Sequence, residues 1–179
     1  MRSRIAKIVL PITALVLTLA SSATATTVLR MDLPDLVNKA DHIVQGRVGQ
    51  VYVDWDAERN LAFTYISVNV DDPMKGERRS TVLIRQVGGR VGKISMHVAG
   101  MPTFSQGEEV ILFLNDLHNG TFMVVGMNQG KYQITQDYAV SNSSGVELYN
   151  PKTGRIEIPA MVNRVPLEAF KSKIRELMK

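Results

Sequence analysis

The sequence predicts a mainly β protein: a small antiparallel β-barrel with a short N-terminal helix and a C-terminal helix. Three observations carry this. Short apolar or β-branched runs recur between turn residues, glycines fall inside several of those runs, and apolar residues spaced by three and four mark helices only at the two ends of the fold. The strongest run is Val110-Ile111-Leu112-Phe113-Leu114, too short for a helix and bounded by Gly107 and Asn115, which marks a buried central strand.

Ahead of the fold lies a stretch of a different kind. Arg2, Arg4 and Lys7 give a basic start, 8–20 is uncharged and largely apolar, and Ala23-Thr24-Ala25 is the small-x-small pattern that signal peptidase accepts. The apolar run is shorter than the ~20 residues that cross a bilayer. Residues 1–25 therefore read as a signal peptide removed before Thr26, which leaves no membrane span and predicts an exported protein, periplasmic or secreted. The whole chain is +4, with 21 Lys and Arg against 17 Asp and Glu; without Arg2, Arg4 and Lys7 it is 18 against 17, or +1. A nucleic-acid surface is not expected on that balance. With no cysteine there is no disulfide framework and no lipidated cysteine, so stability rests on a core. Residues 26–179 suffice for a single domain burying roughly 70% of the unfolded chain's surface.

Along that domain, Asp32 caps a short helix with Pro34 in its first turn, and Leu33, Leu36, Val37 and Ala40 share one face. Ile43 to Val53 is a long strand whose Gly46 and Gly49 predict bends or bulges. After a polar turn, Ala62 to Val70 alternates as a second strand. Asp71 to Gly76 reads as a turn, because Pro73 cannot donate to a ladder. Val82 to Val87 is a third strand, Gly88-Gly89 breaks it, and a weaker fourth spans Ile94 to Val98. Beyond the central strand come short strands at Thr121 to Met127 and Tyr132 to Thr135. Val140 to Pro159 reads as a long loop with one hairpin around Lys152-Thr153-Gly154, and 166–178 as a helix with Leu167, Phe170, Ile174 and Leu177 in a stripe. Short strands, some with internal glycines, fit best the OB-like barrel, which is a five-stranded Greek-key design.

Three stretches carry a resemblance. They are Leu36 to Val48 with its Ala40-Asp41-His42 centre, Val70 to Gly76 ending Met74-Lys75-Gly76, and Gly100-Met101-Pro102-Thr103-Phe104 with Gly107-Glu108-Glu109-Val110. Together they resemble an uncharacterised family of exported bacterial domains that sometimes sit beside matrixin-like metallopeptidases. The first two also resemble the inhibitory OB barrel of tissue metalloprotease inhibitors and netrin-type domains. Such inhibitors chelate zinc through an N-terminal cysteine; this chain has none, so the resemblance implies the fold without that chemistry.

No catalytic constellation stands out. His42, His97 and His118 are the only histidines and lie too far apart for a local metal site. No Gly-x-Ser-x-Gly elbow is present, and Gly88 to Gly92 lacks the Lys-Ser/Thr pair of a phosphate loop. Asp54 with Asp56, and Asp71 with Asp72, sit in predicted turns, as solvated acids do. Met96, His97 and Met101 offer soft ligands for Cu(I), but core filling explains the methionines better, because no Met-x-Met pattern repeats. The sequence thus favours a non-enzymatic binding or interaction module with no cofactor and no metal, its candidate surface being Tyr52, Trp55, Tyr65, Met101, Pro102 and Phe104. The expected partner is an exported protein, such as a peptidase, or an envelope glycan. A carboxylate hydrolase and a small-ligand or Cu(I) carrier are the alternatives.

Overall fold

A computed structural model describes residues 26–143, 146–159 and 162–179; the predicted leader lies outside them. The protein is mainly β, 53% strand against 15% helix. Strand β1 (Thr27–Leu29) leads to helix α1 (Leu33–Lys39). Asp32 caps α1 reciprocally with Asp35: each side chain accepts from the other's backbone N–H. Strands β2 (His42–Asp56), β3 (Leu61–Lys75) and β4 (Thr81–Val87) follow. A hairpin of β5 (Gly89–Val91) and β6 (Ile94–Met96) stands apart as its own two-stranded sheet. Then come β7 (Glu109–Asp116), β8 (Phe122–Val124), a 3-10 turn (Met127–Gly130), β9 (Lys131–Thr135) and β10 (Tyr138–Asn142). The chain ends with β11 (Glu147–Asn150), β12 (Arg155–Glu157), β13 (Val162–Pro166) and α2 (Leu167–Leu177).

Eight strands form one large sheet in the order β13-β10-β9-β7-β2-β3-β4-β8, and β8 also pairs with β7; β1, β11 and β12 make a smaller sheet. The large sheet is not a clearly closed barrel, since β4 meets β8 through the single parallel pair Ile84 with Phe122. Nor is pairing antiparallel throughout: β1 also runs parallel to β11.

Val110 to Leu114 is the central strand, as its composition predicts, and all five residues are buried. Alternation sends Ile111 and Phe113 into one core, with Leu36, Val37, Tyr132, Phe170 and Ile174 beneath the helices. Val110, Leu112 and Leu114 enter a second core with Val44, Ile66, Val68, Ile84 and Phe122. Both faces are covered, which is why the run is apolar without interruption.

Three expectations are corrected. Strand β3 continues through Pro73 because β4 pairs with it only as far as Asn69, leaving one edge of 71–75 free of a ladder that proline would break. The segment Ile94 to Val98 contributes only β6, outside the large sheet. The supposed loop Val140 to Pro159 holds strands: β10 joins the large sheet and β11 pairs with β12 around the anticipated hairpin.

Candidate functional site

Tyr52 on β2, Tyr65 on β3 and Arg85 on β4 are in register across three strands. Residues directly opposite in antiparallel strands share a face, and the neighbouring pair Ile66 with Ile84 lies in the second core, so this row points away from the apolar interior. The two phenol rings are stacked, 5.1 Å apart and 12° from parallel, and Tyr52 is 48% exposed. Phe63, two residues before Tyr65, is only 7% exposed because the Arg85 guanidinium lies over its ring at 3.8 Å. The Nε of Arg85 is buried with no partner. The hairpin end beside this row is pinned by Asp56 and Arg59, 2.5 Å apart. The Arg59 backbone N–H, then its guanidinium, hold the Asp56 carboxyl below the usual range.

Trp55 does not join the tyrosines. It pairs with buried Ala62, three residues beyond Tyr52, so strand alternation carries it to the opposite face, where it is half-buried.

The remaining candidates lie in the loop from Gly100 to Gly107, and that loop is tied down throughout. Gln86 Nε2 donates to the Pro102 carbonyl at 2.9 Å, Gly107 N–H to the Val48 carbonyl at 2.8 Å, and Ser105 N–H to Glu108 Oε2 at 3.0 Å. Lys131 Nζ donates to the Thr103 carbonyl, pairs with Glu108 Oε1 at 2.6 Å and sits 4.6 Å from the Phe104 ring centre. Pro102 is buried and Phe104 packs against the second core; Met101 and Pro102 line a groove of about 500 Å³ with His97, Glu108 and Lys131, and Phe104 does not. The buried Glu108–Lys131 pair joins residues 23 apart in sequence and leaves no local pattern by which to find it.

The other polar candidates disperse. Asp72 is bound by Lys171 at 2.9 Å and Arg175 at 3.0 Å, joining β3 to α2. His42 is buried edge-on to Phe122, whereas His97 and His118 are exposed. Among the described residues no three His, Cys, Asp or Glu converge as a metal site. Met96 lies in the hairpin, Met101 in the loop, Met123 on the exposed side of β8 and Met127 in the 3-10 turn.

The stretches Leu36 to Val48, Val70 to Gly76 and Gly100 to Val110 meet around β2. Lys75 Nζ donates to the Val37 and Ala40 carbonyls, closing α1, while Gly76 (φ +87°) abuts His42 so closely that a Cβ would lie 2.4 Å from Nδ1. Arg47 on β2 donates to the Gly107 carbonyl at 3.0 Å and pairs with Glu109. No protein-family model matches the chain, and no curated protein is significantly similar to it.

Proposed function

We propose that this is an exported, non-enzymatic binding module on an OB-like barrel, with the outer face of β2, β3 and β4 as its binding surface. The observation that carries the reading is the stacked pair of exposed Tyr52 and half-buried Tyr65 beside Arg85. The barrel reading is supported by the pairing circuit β2–β3–β4–β8–β7–β2 and by a second core drawn almost wholly from those five strands. OB barrels bind oligosaccharides and oligonucleotides on such a face, and a chain of net charge +1 after leader removal favours the former. Carboxylates with shifted acidity support binding over proton transfer: Asp32 is held low chiefly by Lys152, Asp56 by Arg59 and Glu157 by Asn150. Export is supported by the leader pattern alone, and the family resemblance fits it.

The test is co-sedimentation with an insoluble envelope-glycan fraction, comparing the protein with a Tyr52→Ala/Tyr65→Ala variant whose fold is verified by circular dichroism. Loss of both rings is expected to weaken retention about tenfold or more. Equal retention would overturn the assignment of the face.

A further inference from the structure

Given that binding face, Arg85 decides the chemistry of what it takes. Arg30, Arg47, Arg59, Arg79 and Arg175 each have a carboxylate partner. Among the described residues Arg78, Arg85, Arg90, Arg155 and Arg164 have none, and of these Arg85 alone stands in register with the stacked tyrosines; its guanidinium makes no hydrogen bond, and its only contact of note is the Phe63 ring beneath it. A half-buried guanidinium whose Nε–H has no acceptor is disfavoured in the free protein, and its planar fork matches a carboxylate. The aromatic ring holds the group in place before any ligand arrives.

We propose that the β2–β3–β4 face takes an acidic polysaccharide, with Tyr52 and Tyr65 against a sugar ring and Arg85 receiving a carboxylate. Three side chains in register across adjacent strands span roughly 10 Å, which suits a short run of sugar units more than one isolated group. The rings lie on an open sheet face, unlike the enclosed pockets that anchor protein partners. A single unpaired cation is too few to track a phosphate backbone. Asp54, on the same face toward the hairpin turn, has its carboxylate on the Trp55 N–H at 2.9 Å and bounds the site on that side.

The test rests on the binding reading yet separates from it. Hexagalacturonate and its methyl ester, which share a ring and differ in charge, are titrated by calorimetry into the wild type, Arg85→Gln, Arg85→Lys and Tyr52→Ala/Tyr65→Ala. The acid is expected to bind about tenfold tighter than the ester and to weaken as salt rises. Arg85→Gln removes that preference while sparing ester binding, and Arg85→Lys, which keeps charge without the fork, falls between. Equal affinity for acid and ester, or an Arg85→Gln protein that keeps the preference, overturns the acidic-ligand inference; the binding reading then stands if the tyrosine variant still loses envelope retention. Failure of both probes to bind overturns the inference as well. The acid-against-ester comparison on the wild type needs no variant to fold.

Discussion

Lys75 reaches from the end of β3 to the Val37 and Ala40 carbonyls at 2.7 and 2.6 Å, supplying the cation that the C-terminus of α1 favours. Replacing it, Lys75→Met, is expected to cost about 1–3 kcal/mol, read as a lower urea midpoint; an unchanged midpoint would mean that the contact adds nothing. Tyr132 illustrates burial acting on a titrating group. Packed between Phe113 and Phe170, its phenol is pushed up to about 12. A tyrosine in the unfolded chain ionises near about 10, so the stability Tyr132 contributes is complete below that pH and is lost as pH rises through about 12. The loss is about 2–3 kcal/mol, and Tyr132→Phe should fall less in urea midpoint over the same window. The Glu108–Lys131 pair, with side chains 6% and 13% exposed, predicts that Lys131→Met costs about 3–5 kcal/mol by stranding a buried carboxylate. None of these contacts is visible in sequence. Met74-Lys75-Gly76 reads there only as a turn, because a side chain's partner 35 or more residues away leaves no periodic trace.

At the level of elements, what was legible had a local cause. Asp32 and Pro34 announce α1, and the alternating burial of β7 on two sides explains its unbroken apolar run. Gly46 and Gly49 signalled irregularity in β2, and register shifts against β3 fall between Gln45 and Gly46 and between Val48 and Val51. A Cβ on Gly46 would lie 2.1 Å from the Asn69 carbonyl oxygen, a backbone atom that cannot step aside. Gly46→Ala is therefore expected to abolish soluble folded protein or to part β2 from β3, seen as lost amide-exchange protection across both strands; a wild-type exchange pattern would refute the close approach. Strands β10 and β13 were not legible. Their residues, among them Ser141, Asn142 and Asn163, have turn-forming character, and they become strands because backbone pairing from Tyr138 with Pro166 to Asn142 with Val162 satisfies them.

Across the whole molecule, β7 is the shared wall of the two cores. Phe113 touches Tyr132 and Phe170 in one core while its neighbours Leu112 and Leu114 fill the other. Phe113→Ala is expected to cost about 3–5 kcal/mol while thermal unfolding remains a single transition; two separated transitions would show the cores to be independent. The candidate face was half legible. Tyr52 and Tyr65 could be placed where two strands meet, but Arg85 enters only through the register of a third strand, and Trp55 parts from them by one step of alternation. Binding at this face is tested by amide chemical-shift mapping of the protein titrated with solubilised envelope glycan. Shifts centred on Tyr52, Tyr65 and Arg85, with the groove of Met101, Glu108 and Lys131 unmoved, are the predicted result. Shifts centred on that groove, or none at all, would contradict it.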